Sequence, residues 1–174
     1  IGGSFAVDQM LPYIVAQLLG AAVGATLVWL VYKDHFDATA DADTKLGVFC
    51  TGPAIPNKGL NFLSEVVGTF ALMFVVFYIT DGELTYGSNS TIPIGLGSVG
   101  AIPVSFTVWV IGLALGGTTG YAINPARDFA PRLVHTLLPI KGKGSSRWDY
   151  AWIPVVGPLV GAVLAGLLYD LLHG

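Results

Sequence analysis

The residues best suited to do chemistry lie together in one short run, Tyr121-Ala122-Ile123-Asn124-Pro125-Ala126-Arg127-Asp128-Phe129-Ala130-Pro131. It follows a run of poor helix formers, Gly116-Gly117-Thr118-Thr119-Gly120. Asn is favoured as a helix N-cap and Pro at the first helical position, so a helix is expected to start at Asn124. The chemistry on offer is non-covalent. Asn124 brings an amide donor and Arg127 a fixed positive charge. The backbone of Thr118, Thr119, Gly120, Ala122 and Ile123 brings carbonyl acceptors. A small polar solute could exchange water for these groups without leaving hydrogen bonds unmade. Covalent catalysis finds no support, because no span contains a His to serve a nucleophile as base. His35, His135 and His173 are isolated and lack metal-ligand spacing, so neither a metal nor a cofactor is expected.

Running from Asn124 to about Val134, the helix would be roughly 15 Å long at 1.5 Å per residue, half of a bilayer core. Its positive end, with free backbone donors, would face the bilayer midplane. That end and Arg127 would oppose cations, including protons relayed along a file of water. Anions would have to shed their hydration, which is costly in a narrow apolar passage.

The elements that must position this run are membrane spans. Over half of the residues are apolar (53%), 11% are charged, and mean hydropathy is +0.70, which leaves too little polar surface for a water-soluble particle. No basic stripe points to nucleic acid. A span needs about 20 apolar residues, and the pattern predicts four, over 9–32, 60–80, 99–116 and 150–171, in a single domain covering 1–174. From Leu84 to Ala126 there is no Asp, Glu, Lys or Arg, about twice the length one span uses. Residues 116–135 are therefore read as a re-entrant loop and half-helix. Irregular backbone survives at that depth only when buried in protein or lining a wet cavity. The fold class is thus an all-α membrane protein, a helical bundle with a re-entrant half-helix. The N-terminus has no Met and no basic lead into a short apolar core, so it does not read as a signal peptide; the chain is expected to begin partway through a larger protein.

Asn124-Pro125-Ala126-Arg127 resembles the second Asn-Pro-Ala motif of the major intrinsic proteins, the aquaporins and aquaglyceroporins. Its extension to Asp128-Phe129-x-Pro131, together with Gly157-Pro158-x-Val160-Gly161, is similar to bacterial glycerol facilitators. The resemblance implies six spans and two half-helices in inverted repeats. This chain would hold the tail of the first half-helix (1–7), spans three to six and the second half-helix. It further implies a selectivity filter in which Arg127 is the charged residue, Tyr121 an aromatic wall and Gly112 the small residue that widens glycerol channels. Asp128 is the acid typical of glycerol-conducting members, and Pro154-Val155 fits their Pro-plus-aliphatic pair. Glu65, an acid inside a span, is implied to accept bonds from loop N–H groups so that loop carbonyls face the pore; Glu65 and Asp128 would both support the site from behind. The implied function is a passive channel for glycerol and other small neutral solutes, with water and, in some members, urea or undissociated lactic acid. A homotetramer in a bacterial inner membrane is implied as well. Lysines in the connections 33–59 and 136–149 would place those faces inside by the positive-inside rule; the family orientation places them outside, and is preferred.

Two rivals are weighed. A water-selective aquaporin would carry His rather than Gly112. An ion-coupled secondary transporter with a broken helix would need more than one lone membrane carboxylate. Gly20, Gly24, Gly157, Gly161 and Gly166 are spaced for tight helix contact. Gly95-x-Gly97-x-x-Gly100 matches a dinucleotide fingerprint, but no preceding strand is expected and no acid stands about 20 residues onward. Asn89-Ser90-Thr91 is a glycosylation triplet, discounted because the resemblance puts it in the cytoplasm.

Overall fold

The computed structural model describes residues 6–80, 82–86 and 90–174; Asn89 of the glycosylation triplet and most of the expected half-helix tail at the N-terminus lie outside them. Among the described residues seven α-helices follow in order: α1 (Val7–Val31), α2 (Lys33–Ala38), α3 (Ala42–Phe49), α4 (Lys58–Phe77), α5 (Ala101–Thr119), α6 (Pro125–Leu137) and α7 (Trp152–His173). Between α4 and α5 stands an antiparallel hairpin of β1 (Gly82–Tyr86) and β2 (Ser90–Ile94), with Leu84 opposite Ile92. Helices α1, α4, α5 and α7 are long and apolar enough to cross a membrane, so the chain is a multi-pass membrane protein. The hairpin puts a strand before the Gly95–Gly100 fingerprint, contrary to expectation. Its two strands pair only with each other, so among the described residues there is no parallel sheet to support a dinucleotide fold.

Burial runs opposite to that of a soluble protein. Helix α1 has no buried residue, and Phe106, Trp109, Val110 and Leu113 of α5 are exposed. These faces suit lipid or another helix. The aliphatic and aromatic core lies at one end of the bundle, where Phe36, Leu46, Phe49, Cys50, Val134 and Ile140 cluster. It joins α2 and α3 to the far end of α6 and fixes that end of the helix.

Between the spans, glycine sets the distance. A Cβ added at Gly157 would stand 2.8 Å from Glu65 Cβ, and one at Gly161 would overlap the Val66 carbonyl of α4. Helices α4 and α7 therefore approach backbone to backbone, as helices in lipid do when small residues line the contact. Gly20 and Gly24 behave otherwise: a Cβ on either meets nothing within 4 Å. They border an open groove instead of a neighbouring helix.

Candidate functional site

Helix α6 begins where its sequence demands. Asn124 is the N-cap, its Oδ1 accepting from Ala126 N (2.9 Å) and Arg127 N (3.4 Å), with Pro125 next. With 13 residues it is roughly 20 Å long, too short to cross a bilayer core of about 30 Å.

The loop before it is shorter than expected. Helix α5 continues through Gly116 and Gly117 to Thr119 and ends at Gly120, whose φ of 78° makes a left-handed cap with its N–H on Gly116 O. Glycine weakens a helix, but tertiary contacts override that preference here: the Tyr121 ring lies against Gly112 and Gly116, while the Thr119 hydroxyl bonds Glu65 Oε1 at 2.6 Å. Only Gly120–Asn124 separate the two helices. In that stretch Tyr121 and Ile123 have φ near 40°, a conformation a non-glycine residue adopts only when its surroundings hold it there.

Glu65 does the holding. It is buried on α4 and accepts from Ala122 N (3.0 Å, Oε1) and Ile123 N (2.8 Å, Oε2). Because a trans peptide sets C=O opposite N–H, the carbonyls of Tyr121 and Ala122 point away from Glu65. The Thr118 carbonyl accepts from Ala54 N at 3.0 Å.

Two cavities meet at the start of α6. One, about 660 Å³, runs along α1 and is lined by Gln17, Gly20, Gly24, Phe49, Asn124 and Arg127 among others. The second, about 440 Å³, is lined by Ile14, Gln17, Asn124, Phe129, Val155 and Leu159 among others. They share Gln17, Asn124 and Ala126. The cavities thus gather Asn124, Ala126 and Arg127, with Val155 on the second. Gly112 and Tyr121 are brought together separately, in contact with each other, and line neither cavity.

The family model for major intrinsic proteins matches residues 1–169. The chain belongs to that family. A probable glycerol uptake facilitator protein of Thermotoga maritima is 48% identical over 97% of this chain and 67% of its own length. The glycerol uptake facilitator protein of Bacillus subtilis is likewise 48% identical over 97% of this chain, but 57% of its own length. The X-ray structure of the aquaglyceroporin from Plasmodium falciparum superposes with a TM-score of 0.77 at 26% identity, covering 97% of this chain and 66% of that one. The chain therefore spans about two thirds or less of these major intrinsic proteins.

Within the family framework, three residues carry weight that sequence reading passed over. Gln17 is uncharged and so stands out little within its apolar span, yet it lines both cavities. Arg132, fully buried on α6, forms a fork with Asp128: Nε donates to Oδ1 at 2.8 Å and Nη2 to Oδ2 at 3.0 Å. Its i,i+4 spacing from Asp128 was a readable signal. Thr51, buried in the connection between α3 and α4, bonds to both members of that pair and had no local signature. Burial pushes the Cys50 thiol up to about 12, so it is chemically quiet.

Proposed function

We propose that the protein is a passive channel for glycerol and other small uncharged solutes, with water. One observation carries the proposal: a helix too short to span a bilayer presents Asn124 and Arg127 to the joined cavities, while Glu65 turns the preceding loop so that two carbonyls face away from it. Donors, acceptors and one positive charge along an apolar wall suit a neutral polyol, which needs hydrogen bonds replaced along one side and carbon contacts along the other. The names of the bacterial relatives support the same substrate class. In this reading Gly112, Tyr121 and Arg127 form the filter, Asn124-Pro125-Ala126 the central constriction, and Asp128 the support behind Arg127. The exposed aromatic and aliphatic face of α5 suits a subunit contact in a homotetramer, and a bacterial inner membrane suits the relatives.

Stopped-flow light scattering of proteoliposomes holding the full-length protein tests the proposal. Glycerol should enter much faster than into protein-free vesicles, urea and undissociated lactic acid more slowly, and sucrose not at all. Water flux without glycerol flux would replace the proposal with a water-selective channel. Flux that saturates and requires a sodium or proton gradient would replace it with a coupled transporter.

A further inference from the structure

The Asp128–Arg132 pair lines neither of the two cavities, yet its hydrogen bonds converge on one residue. Both side chains are fully buried, where an ion pair is poor evidence of stability for its own sake. Asp128 Oδ2 accepts from Thr51 N and from Thr51 Oγ1, each at 2.8 Å. Arg132 Nη2 donates to Thr51 O at 2.9 Å. Arg132 Nη1 reaches Ser146 O (2.8 Å) and Arg147 O (3.3 Å) in the connection before α7. One ion pair thus grips Thr51 by its N–H, its carbonyl and its hydroxyl.

What Thr51 touches in turn makes this more than a fold staple. A Cβ at Gly120 would stand 3.3 Å from Thr51 Cγ2 and 3.4 Å from its Cβ, so the Thr51 side chain backs the left-handed turn that launches Tyr121. Two residues before Thr51, the Phe49 carbonyl accepts from Arg127 Nη1 at 3.5 Å. The same short segment therefore meets the turn carrying Tyr121 and the side chain of Arg127. We infer that Thr51 is a positioning residue that fixes the spacing of Arg127 and Tyr121, and with it the solute selectivity of the passage, under the grip of Asp128 and Arg132. This rests on the filter assignment proposed above.

The test reads a ratio, since a purely structural residue would change the amount of working channel and leave the ratio alone. Full-length protein carrying Thr51→Val keeps its shape and backbone bonds but loses the hydroxyl tie to Asp128. Its glycerol-to-water permeability ratio in proteoliposomes should move by about threefold or more, a fraction of the roughly tenfold that one lost charge-assisted bond is worth, because the hydroxyl acts on the filter through the backbone. Thr51→Ser, which restores the hydroxyl, should stay close to the parent. Arg132→Lys keeps the charge but cannot reach Asp128, Thr51 and Ser146 together, and should move the ratio as Thr51→Val does. Proportional loss of both permeabilities in the Val and Lys variants, or a ratio unchanged in both, would overturn the inference. An unmodified protein that passes no glycerol would instead overturn the channel proposal, and the inference with it.

Discussion

Gly112 is the seat of Tyr121. A Cβ built on Gly112 would stand 2.9 Å from Tyr121 Cζ and 3.1 Å from Cε2, and one on Gly116, a turn later, 3.0 Å from Cδ1. The phenol ring lies on a flat patch of α5 made by two glycines four residues apart. Glycine at 112 therefore acts through its neighbour as much as through the space it leaves. Tyr121 is 39% exposed, so a methyl at 112 has an open side toward which to push the ring. Gly112→Ala should lower glycerol permeability by about fivefold, in line with overpacking costs of roughly 1 kcal/mol or more, and water permeability by less. Gly112→His should do so more strongly. Equal losses for the two solutes would show that the ring does not wall the passage.

Glu65 offers a sharper test of how the loop is held. Its two oxygens accept three bonds, from the Thr119 hydroxyl and from the Ala122 and Ile123 amides, and these restrain two non-glycine residues at positive φ. Glu65→Gln fills the same volume but turns one acceptor into a donor facing an N–H. The expected cost is about 2–4 kcal/mol, for a buried donor left unmet beside a strained loop. Thermal unfolding in detergent should show a clear loss of stability, and glycerol flux should fall well below that of the parent. Glu65→Asp should be only partly better, since the shorter side chain cannot reach both amides. If Glu65→Gln conducts and melts like the parent, the loop is held by something else.

The sequence was most readable where the physics is local. Asn124 followed by Pro125 announces a helix start through capping chemistry alone, and α6 starts there. Apolar runs announce spans because the bilayer fixes their length. Gly116 and Gly117 look like a break in the sequence, yet α5 runs through them, packed under the Tyr121 ring and tied by the Thr119–Glu65 bond. The grip of Asp128 and Arg132 on Thr51 spans residues far apart in the chain, and no local pattern foretells it. Gly20 and Gly24 share the small-residue spacing of Gly157 and Gly161, yet only the second pair meets a neighbouring helix. Spacing shows which face is small, not what lies against it.

His135 gives a prediction in pH. It is fully buried near the end of α6, with Nδ1 at 2.8 Å from Ser146 Oγ. Burial first, then the charges of Lys143 and Arg132, push its pKa down from 6.5 to about 4. The Phe49 ring at 5.2 Å adds no charge to offset them, and the Lys143 ammonium is held close by, donating to the His135, Thr136 and Leu138 carbonyls. The folded protein keeps this imidazole neutral while the unfolded chain protonates it near 6.5, so between those values the unfolded state binds more protons. Stability should therefore fall as pH drops from about 6.5 toward 4, and should be indifferent to His135 above that window. Melting temperature followed from pH 7.5 to 4.5 should decline, and His135→Gln should flatten the decline. An identical slope in the variant would assign it to other groups.

The glycines of α7 make the last prediction, because they separate packing from propensity. A methyl on Gly161 would overlap Val66 O and stand 2.9 Å from Phe70 N and 3.1 Å from Thr69 Cβ. Two of these atoms are backbone, so the strain is relieved only by moving α4 and α7 apart. Apolar lipid supplies no hydrophobic drive to restore the contact, and separation would also shift Glu65, whose Cβ lies beside Gly157. Gly161→Ala should destabilise by roughly 1–3 kcal/mol, seen as a melting temperature lower by about 5 °C, and should reduce flux through the displaced Glu65. Gly24→Ala meets nothing within 4 Å and gains helix propensity, so its melting temperature should match or exceed the parent's. Because Gly24 lines the larger cavity, any loss of flux there should come without loss of stability. Equal destabilisation by the two substitutions would mean that α4 and α7 are not in backbone contact.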